Sequence, residues 1–229
     1  NPSVTADGIY ELCEAAKKLN FASVCVRPNW VVVAKAFLAG SGVKVCTVIS
    51  FHEGTDAHES KISEARAAIG RGATEIDWVF DHRLMSGYPD QDSLAMVTSE
   101  VTEIAGLARE FPEIVWKVIV ETCALDDAQK RAICELLAAT GVILFIKTST
   151  GYGTPCGVDV PKGATITDVK IFAGVIAEHW SSMQIMASGG VRSLGQLLAL
   201  RAAGAPRFGI ERDVAMSIVQ EFSAHIIIR

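Results

Sequence analysis

Residues 115–149, VWKVIVETCALDDAQKRAICELLAATGVILFIKTS, carry the pattern that decides the fold. A β-branched run, Val115–Glu121, opens the stretch, and a second, Ile143–Ser149, closes it. Both are short and rich in Val and Ile, as strands covered on both faces are. Between them Asp126–Ala139 has apolar residues at helical spacing and stops just before Gly141, a residue type that ends helices. Strand, helix, strand is the repeating unit of a parallel sheet.

The same alternation extends to both ends of the chain. Strand-like runs fall at Ser23–Val26, Lys44–Ile49, Glu75–Phe80, Gln184–Ser188, Arg207–Ile210 and His225–Ile228. Helix-like stretches fall at Asp7–Leu19, Asn29–Leu38, Asp56–Arg71, Asp92–Glu110, Ile166–Trp180, Ser193–Ala203 and Arg212–Phe222. Thr5 can cap the first helix, and Pro28 lies at the first turn of the second. Eight strands alternating with eight helices predict a single α/β domain over residues 1–229, a (β/α)8 TIM barrel. A doubly wound sheet is the alternative, but it calls for a Gly-rich turn after the first strand, where Arg27-Pro28-Asn29 stands instead. The chain opens on a helix and closes on the strand-like Ala224-His225-Ile226-Ile227-Ile228. That order predicts a circularly permuted barrel in which the C-terminal strand fills the gap before the first helix, because an unpaired edge beside exposed apolar residues is costly.

Composition narrows the partners. With 50% hydrophobic residues, 21% charged and a net charge of −5, the chain is neither disordered nor built for nucleic acid. No apolar run reaches the roughly 18 residues of a membrane span, and no signal peptide is legible. The six cysteines make no CxxC pair and the five histidines no HxH or HExxH motif. Four of the cysteines sit inside apolar helical or strand patterns, so the cysteines read as small buried hydrophobes in a reducing cytoplasm, and no metal site is expected. Trp78, Trp116 and Trp180 read as core, and Asp81-His82-Arg83, His52 and Glu53 as loop residues near strand ends. A dinucleotide fingerprint is absent, since Gly151-Tyr152-Gly153 follows the fifth strand without the required spacing.

Charged residues inside apolar strands are the informative ones, because active sites of such barrels lie at the C-terminal strand ends. Asp77, Lys117 and Lys147 occupy three consecutive strands. Two buried lysines side by side would depress each other's pKa, and the carboxylate would relay protons. A neutral amine that attacks a carbonyl to form a Schiff base needs those conditions, so class I aldolase chemistry is expected.

The segments FIKTSTGY (Phe145–Tyr152), EID (Glu75–Asp77), KVIVET (Lys117–Thr122) and ASGGVR (Ala187–Arg192) together resemble the deoxyribose-phosphate aldolase family. SVCVRP (Ser23–Pro28), FHEGT (Phe51–Thr55), Gly163-Ala164-Thr165 and Ala203-Gly204-Ala205 extend the likeness over nearly the whole chain. The resemblance implies a (β/α)8 class I aldolase, free of metal and organic cofactor. The implied reaction joins acetaldehyde and glyceraldehyde 3-phosphate reversibly into 2-deoxyribose 5-phosphate. Lys147 matches the Schiff-base lysine, Asp77 the proton-shuttling aspartate, and Lys117 a lysine beside it inside the barrel. Cys25 falls near the substrate; Thr150, Gly151, Gly189 and Gly190 match the phosphate-binding turns. The implied partner is an aldehyde or sugar-phosphate substrate, and the implied assembly a monomer or a homodimer.

Three positions depart from the family pattern. Met186 replaces a second catalytic lysine and can carry no proton, which puts ordinary turnover in doubt. Glu211 replaces a serine of the last phosphate turn and would repel a dianion, although an inward-turned Arg212 would attract one. The family's Asp-His-Thr-Leu-Leu strand does not precede Asn1–Thr5, and Ala224 and Ile226 stand where the permuted reading would put its Asp and Thr. The alternative function is therefore a redesigned or diverged barrel, with little turnover or a non-phosphorylated aldehyde as substrate.

Overall fold

The computed structural model describes residues 4–85 and 90–227, with side chains described to residue 223. Among the described residues, seven strands pair in parallel in strict sequence order. They are β1 (Ser23–Val26), β2 (Lys44–Ile49), β3 (Glu75–Val79), β4 (Val115–Ile119), β5 (Phe145–Lys147), β6 (Gln184–Ser188) and β7 (Arg207–Gly209). Eight α-helices alternate with them: α1 (Ala6–Lys18), α2 (Val31–Phe37), α3 (His58–Arg71), α4 (Gln91–Glu110), α5 (Asp127–Ala139), α6 (Ile166–Glu178), α7 (Leu194–Ala203) and α8 (Arg212–Ile227). The sheet curls as a TIM barrel does. Arg207 on β7 donates to Ser23 Oγ on β1 at 2.9 Å, so the two ends of the sheet approach each other.

Local chemistry explains most boundaries. Thr5 caps α1 by accepting from the Gly8 N–H at 3.2 Å. Pro28 opens a short 3-10 turn, Pro28–Trp30, that leads into α2. At the start of α5 the Asp126 side chain accepts from the Gln129 N–H while Gln129 Oε1 accepts from the Asp126 N–H, a reciprocal capping box. Gly72 ends α3 with φ +106°, a left-handed conformation that costs glycine little.

The main core lies between the sheet and its helices. Trp78, Trp116 and Phe172 are buried there with Ile76, Val118 and Ile146. A charged cluster is embedded in that layer beside β3. Lys61 of α3 donates to Glu100 Oε1 of α4 at 2.6 Å and to the Val79 carbonyl at 3.1 Å. Trp78 Nε1 donates to the same Glu100 oxygen at 2.7 Å, so two helices grip the end of β3 through one carboxylate.

Two expectations need correction. The C-terminal run is not a strand completing the barrel: α8 continues through Ile227, and among the described residues β1 and β7 each pair on one side only. No Gly or Pro separates Phe222 from Ile227, so extending an existing helix is easier than nucleating a strand. Ile228 lies outside the described residues. Trp180 is not core; it is 94% exposed at the end of α6.

Candidate active site

Side chains of alternating parity along each strand point into the barrel. In-register pairing therefore brings the sequence-selected residues together. Asp77 of β3 lies opposite Lys117 of β4, and Ile119 of β4 lies opposite Lys147 of β5. Lys117 Nζ donates to Asp77 Oδ1 at 2.7 Å, and Lys147 Nζ donates to Asp77 Oδ2 at 2.6 Å. One buried carboxylate thus carries an ammonium group on each oxygen.

Sequence reasoning named Cys25 here but missed Glu75, Arg207 and Cys46. Glu75 is buried and lies 2.7 Å from Lys117 Nζ through Oε2, and Arg207 Nη2 donates to both of its oxygens. Its position two residues before Asp77 was the available signal, since that spacing puts both carboxylates on one face of the strand. Cys46 accepts from Lys117 Nζ at 3.2 Å, and Cys25 Sγ lies 4.0 Å from Asp77 Oδ2. Of the six free cysteines, Cys25 and Cys156 are exposed rather than buried, a correction to the uniform core reading.

Lys117 does depress the pKa of Lys147, as expected, but the net shift of both lysines is upward. Burial pulls the Lys147 pKa down and Lys117 adds to that pull, but Asp77, with Cys25 and Cys46, together outweigh both and leave it raised. Lys117 is raised further, because Asp77 and Glu75 flank it. Burial alone would raise the Asp77 pKa; the two ammonium groups hold it far below the usual carboxylate range. At neutral pH the resting site is therefore a fully ionised Lys–Asp–Lys cluster. The sulfurs of Cys25 and Cys46 and a carboxylate oxygen of Asp77 all lie within 4.8 Å of one another, the one metal-like donor set among the described residues. A cation there would have to displace two ammonium groups from Asp77.

Met186 of β6 pairs with Lys147 and is buried, so a thioether stands beside the amine. The Gly-rich turns close over the top. At Gly189, φ +81°, a side chain would be strained, and its Cβ would press against Gly163 Cα at 3.0 Å and Ser149 Cβ at 3.2 Å. Gly151 and Gly190 flank this contact, each with a positive φ. Thr150 is engaged elsewhere, its N–H donating to Glu121 Oε2 at 3.0 Å and its hydroxyl to the same oxygen. Arg212 does not turn inward. It pairs with Glu11 of α1 at 2.7 Å and with Asp213 at 2.8 Å, and Glu211 is exposed beside it. Across the mouth, the His52 ring stacks on Tyr152 at 5.1 Å, and Phe51 meets both the Tyr152 ring edge-on at 5.6 Å and the Arg27 guanidinium at 4.5 Å.

A parallel sheet in this strand order, with a lysine pair on one buried aspartate, defines an aldolase-type barrel. No family model matches the chain. A deoxyribose-phosphate aldolase from Caldanaerobacter subterraneus subsp. tengcongensis is 40% identical over 222 residues, covering 96% of this chain and 88% of that protein. The solved structure "QR15, an Aldolase" superimposes with a TM-score of 0.83 at 31% identity, covering 100% of this chain and 94% of that one. A tetrameric deoxyribose phosphate aldolase from Aeropyrum pernix gives 0.77 at 26% identity, covering 97% and 86%. The chain belongs to the deoxyribose-phosphate aldolase family. Among its described residues, no helix is long and apolar enough to cross a membrane.

Proposed function

We propose that this chain is a Schiff-base aldolase that reversibly cleaves 2-deoxyribose 5-phosphate to acetaldehyde and glyceraldehyde 3-phosphate. The observation that carries the reading is the 2.6 Å contact between Lys147 Nζ and Asp77, whose other oxygen is held by Lys117. Lys147 must be neutral to attack a carbonyl, and its proton has one short path, onto Asp77. Attack gives a carbinolamine. Asp77 then returns the proton to the hydroxyl that leaves as water, and the iminium remains on Lys147. In the cleavage direction the iminium draws the electrons of the breaking C–C bond, while a base removes the proton of the acceptor hydroxyl. Lys117 keeps Asp77 ionised between these transfers. A cytoplasmic location and a homodimer remain part of the proposal, the first supported by six free thiols and the second to be read from sedimentation.

Reduction with borohydride in the presence of acetaldehyde should attach an ethyl group to Lys147, found by peptide mass mapping, and Lys147→Ala should take none. A folded protein that traps nothing at Lys147 sinks the reading.

Two observations favour a second reading, in which turnover is low or the substrate lacks phosphate. Met186 stands beside Lys147 without a proton to move, and Arg212 is committed to Glu11 and Asp213. If it holds, Met186→Lys should raise the retro-aldol rate on 2-deoxyribose 5-phosphate by about 10²–10⁴-fold, the worth of a positioned acid or base. Equal rates in parent and variant set it aside.

A further inference from the structure

The mechanism above leaves two thiols unused. Cys25 of β1 and Cys46 of β2 are register partners, and both reach Asp77 or Lys117 inside the barrel. Paired strands lie about 4.7–4.9 Å apart, inside the Cα separation of about 4.4–6.8 Å that a disulfide spans. Their sulfurs lie within 4.8 Å of each other. The two are unequal. Cys25 is exposed, whereas Cys46 is buried. Cys46 holds the Cys25 thiol below its usual range, and Lys147 and Lys117 act in the same direction against burial and Asp77. Burial and Cys25 push Cys46 well above its range. An accessible thiol of lowered pKa beside a protonated partner thiol is the arrangement in which oxidation ends as a disulfide.

We propose that Cys25 and Cys46 form an oxidisable dithiol, a modification site that takes a hydroperoxide as co-reactant and closes to an intrabarrel disulfide. The Cys25 thiolate attacks one peroxide oxygen, the O–O bond breaks, and an alcohol or water leaves after protonation. Sulfur is oxidised by two electrons to a sulfenic acid and the peroxide is reduced. The Cys46 sulfur then attacks the Cys25 sulfur, the S–O bond breaks, and the departing hydroxide takes the Cys46 proton as water. Two thiols and one peroxide become a disulfide, an alcohol and a water. The bond would draw Cys46 away from Lys117 and Cys25 away from Asp77, so oxidation acts on the amine cluster itself.

The chain contains its own comparison. Cys156 is also exposed and its N–H donates to the Cys123 carbonyl at 2.8 Å, but burial and Glu121 push the Cys123 thiol to about 11. The experiment treats the full chain with equimolar hydrogen peroxide, then maps peptides without reduction. The expected product is a Cys25–Cys46 link, lighter by two hydrogens, reversed by dithiothreitol and formed at least about tenfold faster than any modification of Cys156. In Cys46→Ser, Cys25 should stop at the sulfenic acid and be captured by dimedone; in the parent chain that capture should be small. Dimedone capture at Cys25 equal in both proteins overturns the proposal. So does prior reaction of Cys156, or failure of either barrel thiol to react.

Discussion

Asp77 sets the working state of both lysines, and its effect on Lys147 runs opposite to what two neighbouring ammonium groups alone would give. Because the carboxylate favours the charged amine, it holds the Lys147 pKa up. In Asp77→Asn that support is gone while burial and Lys117 remain, so the pKa of Lys147 should fall. The pH midpoint for borohydride trapping of acetaldehyde should then move to lower pH. Turnover should move the other way, dropping about 10²–10⁴-fold with the loss of the proton acceptor. A trapping midpoint that stays put or rises shows that Asp77 does not govern the amine. On the proposed mechanism the same residue would hold the nucleophile charged at rest and take its proton once a carbonyl arrives, and the two measurements separate those effects.

At the scale of elements, β3 is the one held most firmly from both sides, by the amine cluster within and by Lys61–Glu100 outside. Lys61→Met strands Glu100 as a buried charge, and breaking such a pair costs about 3–5 kcal/mol. Urea unfolding should show that loss, and Lys61→Met/Glu100→Leu should recover much of it; equal stability of the single variant and the parent refutes the role. Neither partner was visible in the sequence as a pair, since a helix–helix contact across 39 positions leaves no local pattern. What local pattern does carry was legible: β1, β2 and β6 have the bounds that their Val and Ile runs indicated, and Asp77, Lys117 and Lys147 stood out as charges in apolar strands. The reading failed where β-branched content competed with continuity. Ile226 and Ile227 look like strand residues, but a helix already propagating from Arg212 takes them in. Glu75 and Arg207 were overlooked for a different reason, because each sits at the start of its strand, where a charge reads as an edge toward solvent.

Across the whole molecule, those two overlooked residues tie the curled sheet together. Arg207 on β7 bridges Glu75 on β3 and Ser23 on β1, so one guanidinium connects the two sheet ends to the middle through the barrel floor. Burial would raise the Glu75 pKa, but Lys117 and Arg207 leave it lowered in the folded state, and Asp77 is lowered too. Between the unfolded and folded values, the unfolded chain binds more protons. Stability from these carboxylates is therefore complete above the ordinary carboxylate range and is lost as pH falls through the depressed folded values. Glu75→Gln removes one of them. At pH 7 the variant should be less stable than the parent, because Lys117 and Arg207 lose a shared counter-charge. The gap should close steadily below about pH 4.5, as the parent's own Glu75 takes up its proton. Urea titrations of both proteins from pH 7 to pH 3 read the two curves directly. Parallel curves would mean that the guanidinium bridge contributes nothing through charge, and that the sheet ends are held by the surrounding apolar layer alone.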